Sequence, residues 1–249
     1  TSWNAPRETL MNNITAELNI FEAMRLLKLI NTRILIAGSS EEYGLVRAHE
    51  LPVSETTPLR PMSPYGVSKV TQDRLAFQYH KSFGMDVVIT RAFNQTGPRQ
   101  ADVFVISNFA RQVVEIEAGF NEPIINVGDL TVKRDFTDIR DVVRAYVLAL
   151  EKCEAGSVYN IGFGKAVSIK QIVDRLLEMS KLIIEVKQDA TRVRPSEVPE
   201  LICNASLFRR KTGWRPEISL KQTLFDLLEH WRTQLGSSSE IRYLEKKAE

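Results

Sequence analysis

Hydrophobic positions along this chain follow a helical period in some stretches and run nearly unbroken in others, and the two kinds of stretch take turns. Over residues 7–29, Leu10, Ile14, Leu18 and Phe21 share one helix face, with Ala16, Ile20, Ala23 and Leu27 beside them and Pro6 near the start. Arg33-Ile34-Leu35-Ile36-Ala37 then runs almost continuously apolar into Gly38, the pattern of a strand covered on both faces. Ser39-Ser40-Glu41-Glu42-Tyr43-Gly44 stands at its carboxyl end. Residues 45–63 have no helical period and carry Pro52, Pro58 and Pro61, so they predict a long loop, a kind of segment that often carries function. Ser63 is a good N-cap, Pro64 suits a first helical turn, and Val67, Val70, Leu75, Phe77 and Tyr79 keep a loose helical spacing up to Gly84, which is placed to end the helix. Residues 86–93 form the next apolar strand, with residues 94–100 as its exit loop.

Helix, strand, helix, strand is the order of an α/β fold. It predicts a Rossmann-like, doubly wound parallel sheet, whose ligands lie at the carboxyl ends of the strands. Ser39, Ser40, Glu41 and Asn94 all fall at that edge. Beyond Gln100 the elements shorten: a helix over 103–118, a strand over 123–127, a segment over 132–138, a helix over 141–151, a strand over 157–161, a helix over 168–179, a strand over 182–187 and a closing amphipathic helix over 220–231. Residues 236–249 open with Gly-Ser-Ser-Ser and end in charges, which predicts a flexible tail.

Composition narrows the classes of function. Of 249 residues, 43% are hydrophobic and 26% charged, ordinary for a globular chain, and 33 basic against 31 acidic residues leave +2, which points to neither nucleic acid nor a membrane surface. Cys153 and Cys203 have no metal-ligand spacing and fit a reducing cytoplasm, and His49, His80 and His230 share no ligand spacing, so no metal is expected. No apolar run approaches the roughly 20 residues of a membrane span.

Against that background one stretch carries chemistry. In Ser63-Pro64-Tyr65-Gly66-Val67-Ser68-Lys69, a helix puts the Tyr65 phenol and the Lys69 ammonium on one face. A nearby ammonium favours the phenolate, and lowering a tyrosine by about 3 units from its usual value of about 10 takes roughly 4 kcal/mol. Such a tyrosine exchanges a proton with a carbinol or a ketone. The spacing alone is cheap, since Tyr243 and Lys247 repeat it. Ser39 and Ser40 follow a strand where a hydroxyl could hold the substrate oxygen, and Glu41 is a possible base. Gly162-Phe163-Gly164 imitates a dinucleotide fingerprint but reads as a turn, while Arg134 and Arg194, with Glu197, are candidates for holding a diphosphate.

Taken together, Ser39-Ser40-Glu41-Glu42-Tyr43-Gly44, Ser63-Pro64-Tyr65-x-x-Ser68-Lys69, Arg91-Ala92-Phe93-Asn94-x-Thr96-Gly97-Pro98, Arg134-Asp135-Phe136-Thr137 and Arg194-Pro195-x-Glu197-Val198-Pro199 resemble the extended short-chain dehydrogenase/reductase family acting on nucleotide sugars. The resemblance implies that Tyr65 is the proton donor, that Lys69 holds the nicotinamide ribose and lowers the tyrosine, and that Ser39 or Ser40 orients a 4-keto oxygen. It implies NADP(H) or NAD(H) as cofactor, with Tyr65, Lys69 and Phe93 beside it, and a GDP-sugar held by Asn94, Arg134, Arg194 and Glu197. The implied reaction is reduction of a GDP-4-keto-6-deoxyhexose to a GDP-6-deoxyhexose such as GDP-D-rhamnose, in a cytoplasmic homodimer pairing through the Tyr65 helix and the helix over 7–29. GDP-mannose 4,6-dehydration, epimerisation of a nucleotide sugar and non-catalytic binding are the rivals.

On the same resemblance, residues 1–100 are the remainder of a dinucleotide-binding domain. Residues 101–235 are mainly a nucleotide-sugar domain, with some elements returning to the sheet. The family's Gly-x-x-Gly-x-x-Gly unit would lie ahead of Thr1, so the expectations are an unpaired apolar sheet edge and a chain unable to turn over alone.

Overall fold

The computed structural model describes residues 2–192 and 198–248. The chain divides into two compact units, one of Thr1–Gln95, Asp135–Ala166 and Glu200–Pro216, the other of Thr96–Arg134, Val167–Pro199 and Glu217–Glu249. The division interleaves along the chain, where the sequence suggested a main boundary at residue 100.

In the first unit the strands β1 (Ile34–Ser39), β2 (Val87–Ala92) and β6 (Val158–Ile161) form a parallel sheet in the order β1-β2-β6. Every residue of β2 is buried, because the strand is covered twice. Val87 and Ile89 turn to one face and pack with Phe21 and Met24 of α1 (Pro6–Leu26) and Ala76 and Tyr79 of α2 (Pro64–Phe83). Val88 and Ala92 turn to the other, against Val142, Ala145 and Ala149 of α4 (Ile139–Lys152) and Phe208 of α6 (Ser206–Thr212). Each such buried aliphatic side chain contributes about 1.5–3 kcal/mol, which is why a strand with this sequence sits at the centre of the sheet. The doubly wound architecture expected from the sequence is what the unit shows.

The caps of α2 are those its sequence predicts. Ser63 Oγ accepts from Gly66 N at 3.0 Å, Pro64 opens the helix, and Gly84 closes it at φ +70° with its N–H on His80 O. In α1 the packing differs from the apolar stripe. Leu18, Ile20 and Leu27 stay exposed, and Glu17, Phe21 and Met24 turn inward. A broad stripe offers several faces, and the one chosen is the one that meets α2 and the sheet.

In the second unit β4 (Ile124–Val127) pairs in parallel with β8 (Glu185–Gln188), and α3 (Val105–Glu117), α5 (Ile169–Glu178) and α7 (Leu220–Ala248) complete it. Strands β3 (Asn94–Thr96), β7 (Ala166–Ser168) and β9 (Glu200–Leu201) have three residues or fewer, and β5 (Lys133–Asp138) has six. Residues 236–248, expected as a flexible tail, continue α7, and the Glu, Lys, Leu and Ala residues after the serines are good helix formers. No helix among the described residues is long and apolar enough to cross a membrane.

Candidate active site

The site is built where α2 presses on the turn that follows β1. Residues Ser40–Glu42 form one 3-10 turn, with Ser39 as N-cap: its Oγ accepts from Glu41 N at 3.2 Å, and Ser39 N donates to Glu42 Oε1 at 2.8 Å. Gly66 lets α2 come close enough to touch this turn, for a Cβ there would lie 2.6 Å from Glu41 O and 3.1 Å from Pro61 Cβ. That contact brings Tyr65 to Ser39.

Burial pushes the Tyr65 phenol above the ordinary tyrosine value, a hydrogen bond with Ser39 pulls it down, and Glu41 and Glu42 add to the rise. In the chain by itself desolvation outweighs any lowering and the phenol is raised, so the lowering expected from Lys69 does not dominate without the cofactor. The Lys69 ammonium lies 5.7 Å from the centre of the Tyr65 ring and donates to Ala37 O at 2.9 Å, on β1 at the end of the sheet. Burial lowers Lys69, while Glu17 and Glu42 hold it up. Ser40 is buried, so of the two serines Ser39 is the one beside the phenol. Glu41 is exposed, and its Oε2 accepts from Ser63 Oγ at 3.2 Å.

Behind these groups lies a buried charge cluster that motif reading missed. Arg91, 2% exposed in β2, donates from Nε to Glu42 Oε2 at 3.1 Å, from Nη2 to Asp73 Oδ2 at 2.8 Å and from Nη1 to Tyr43 Oη at 3.1 Å. Tyr43 Oη donates onward to Asn160 Oδ1 at 2.6 Å. Burial pushes Glu42 up to about 8, with Arg91 opposing. The turn carrying Ser39 is thus anchored to the sheet through Glu42 and Arg91. The sequence held one signal for this: a charge inside a wholly buried strand needs carboxylates brought to it.

The other expected residues separate. Asn94 is half-buried in β3. Phe93 is 2% exposed, its ring tilted on Tyr43 at 6.2 Å and its N–H on Ile161 O, so its side chain packs in the core. Arg134 lies in the second unit and donates to Lys133 O at 2.9 Å and Val198 O at 2.7 Å. Arg194 and Glu197 lie outside the described residues. Gly162-Phe163-Gly164 is a turn held by Asp135, whose carboxylate accepts from Phe163 N and Gly164 N.

Residues 1–227 match the family model described as GDP-mannose 4,6 dehydratase. The chain belongs to that family. It is 34% identical over 230 residues to the GDP-6-deoxy-D-mannose reductase of Pseudomonas aeruginosa, covering 92% of this chain and 75% of that one. It is 29% identical to the GDP-mannose 4,6-dehydratase of Vibrio cholerae, covering 91% and 68%. Among solved structures, RMD from Pseudomonas aeruginosa complexed with NADPH superposes with a TM-score of 0.88 at 33% identity, over 94% of this chain and 77% of that one. Membership places the chain among NAD(P)-dependent enzymes of the extended short-chain dehydrogenase/reductase type.

The donor set fits the nicotinamide-ribose end of such a cofactor. Lys69 carries three N–H groups, and the structure engages one of them, with Ala37 O, leaving donors for a vicinal diol. Tyr65 adds a protonated phenol on the same helix face.

Proposed function

We propose that the chain reduces the 4-keto group of a GDP-4-keto-6-deoxyhexose, giving a GDP-6-deoxyhexose such as GDP-D-rhamnose. The observation that carries this is the placement of the Tyr65 phenol beside Ser39, with the Lys69 ammonium 5.7 Å from its ring, in a chain 34% identical to a GDP-6-deoxy-D-mannose reductase. A nicotinamide cofactor, held by Tyr65 and Lys69, supplies hydride to the carbonyl carbon. Ser39 holds the carbonyl oxygen, Tyr65 delivers the proton to that oxygen as negative charge develops, and the Lys69 ammonium stabilises the phenolate left behind. Asn94, Arg134, Arg194 and Glu197 are the proposed contacts to the nucleotide sugar, and the guanine preference rests on the relatives.

Dehydration of GDP-mannose is the second reading, favoured by the exposed Glu41 on the same turn, a position from which a base could reach a sugar. That reaction begins by oxidising a carbinol, for which the tyrosine must accept a proton; 34% identity to a reductase against 29% to a dehydratase favours the first reading. The enzyme is proposed to be cytoplasmic and homodimeric, pairing through α1 and α2, which leave Met11 58%, Ile20 51%, Val67 42% and Phe77 40% exposed. The deciding experiment gives the chain GDP-4-keto-6-deoxymannose with NADPH, and separately GDP-mannose with NADP. A 6-deoxyhexose product lost in Tyr65→Phe supports the reductase. A new 4-keto group from GDP-mannose sinks it.

A further inference from the structure

Glu17 is the most unusual group near the site. It sits on α1, 5% exposed, and neither carboxyl oxygen has a hydrogen-bond partner by geometry among the described residues. The facing surface of α2 is fixed by two bonds: Asn13 Nδ2 donates to Ser68 Oγ at 2.8 Å, and Gln72 Nε2 donates to Asn13 O at 2.8 Å. Asn13 and Glu17 are one helical turn apart, as are Ser68 and Gln72, so Glu17 lies against the part of α2 that carries Lys69, Gln72 and Asp73. Gln72 Nε2 gives one of its two N–H groups to Asn13 O, which fixes the amide beside Glu17. Gln72 Oε1 is buried and unpartnered among the described residues. With Glu17 ionised, its two oxygens and Gln72 Oε1 are buried acceptors with at most the second Gln72 N–H between them. A single proton on Glu17 supplies another donor.

Three carboxyl groups, Glu17 of α1, Glu42 of the 3-10 turn and Asp73 of α2, share this interior with Lys69 of α2 and Arg91 of β2, the more exposed Arg74 reaches Asp73 Oδ1 at 3.7 Å, and the Tyr65 phenol stands beside Lys69. Glu42 and Asp73 each take Arg91 N–H bonds, and Glu42 also takes Ser39 N, while burial raises Glu42 to about 8. Glu17 takes no such bond from a cation or a backbone N–H among the described residues. Burial raises it to about 8 as well, with Lys69 and the Gln72 side chain opposing and Asp73 and Glu42 adding.

We propose that Glu17 is a positioning residue for the Tyr65–Lys69 pair: enclosed between α1 and α2 with no cation bonded to its carboxyl among the described residues, it holds a proton, and on releasing it places a negative charge beside the Lys69 ammonium. This deepens the reductase reading and rests on it for its catalytic meaning. Below the release, Lys69 faces a neutral acid and its positive charge acts on Tyr65 undiminished. Above it, the carboxylate draws on the same ammonium, which stays protonated to higher pH but does less for the phenolate.

The test labels the glutamate side-chain carboxyl carbons of the 249-residue chain with carbon-13 and follows them by NMR against pH, assigning Glu17 by the signal lost in Glu17→Gln. A midpoint near 8 is expected, and one near the ordinary 4.5 overturns the proposal. In the same samples the Lys69 amine, methylated with carbon-13 and assigned through Lys69→Arg, should titrate lower in Glu17→Gln than in the parent chain. An unmoved Lys69 overturns it too. Where Glu17→Gln does not fold, Glu17→Asp, which keeps a carboxyl at a shifted signal, makes the assignment. Neither readout needs turnover, so a chain that passes both and reduces no sugar refutes the reductase reading and leaves the Glu17 assignment standing.

Discussion

Replacing Gly66 by alanine tests how Tyr65 is placed. The new methyl would lie 2.6 Å from Glu41 O, about 0.8 Å inside the 3.4 Å at which ordinary van der Waals contact begins, and 3.1 Å from Pro61 Cβ. The oxygen belongs to a turn tied by the Ser39 N–H to Glu42, and through Glu42 to the buried Arg91, so the turn cannot yield cheaply. The first turn of α2 must move instead, and Tyr65 moves with it, away from Ser39. Overpacking costs about 1–3 kcal/mol, against which alanine recovers up to about 1 kcal/mol of helix propensity, so the net loss is roughly 0–2 kcal/mol. The chain stays folded. Activity is expected to fall roughly 10²-fold, since a displacement approaching 1 Å at a reacting group has that effect. Reduction of the 4-keto sugar, followed by loss of reduced nicotinamide, reads the activity; thermal unfolding and binding of the GDP-sugar read the fold. Full turnover with an unchanged melting temperature would refute the claim that this contact positions the phenol.

Tyr65→Phe should lower the turnover number by about 10²–10⁴-fold, and the absorbance difference between the parent chain and this variant should show the phenolate forming later than in a free tyrosine when no cofactor is bound; a phenolate near neutrality would reverse the assignment of proton donor. Arg91→Met leaves Glu42 and Asp73 buried without their cation and should cost about 3–5 kcal/mol in urea unfolding, a loss under about 1 kcal/mol being the refuting result. Glu17 is raised on folding from 4.5 to about 8, so between those values the folded chain binds the extra proton and stability falls as pH rises, by up to about 1.4 kcal/mol per pH unit from this group. Unfolding curves of Glu17→Gln should lose that part of the slope, and an identical slope in the two chains would show that Glu17 does not titrate there.

The sequence by itself determined the local pieces. Ser63, Pro64 and Gly84 define α2 because caps act within a turn of the residues they close, and the run from Val87 to Ala92, apolar but for Thr90 and Arg91, defines a central strand. Tyr65 and Lys69 on one face, and the family itself, were legible for the same reason: they depend on spacing. The tertiary structure alone decided that Ser39 and not Ser40 meets the phenol, that Phe93 is core, and that Glu17 and Phe21, not Leu18, turn inward on α1. It also decided the direction of Tyr65, because desolvation depends on what packs around a group and a neighbouring ammonium four residues away does not reveal it. The partners of Arg91 lie 18 and 49 residues away, and Asn13 meets Ser68 across 55. Charges in a sequence state only that partners are required. Which partners they find is set by the layers that burial brings into register.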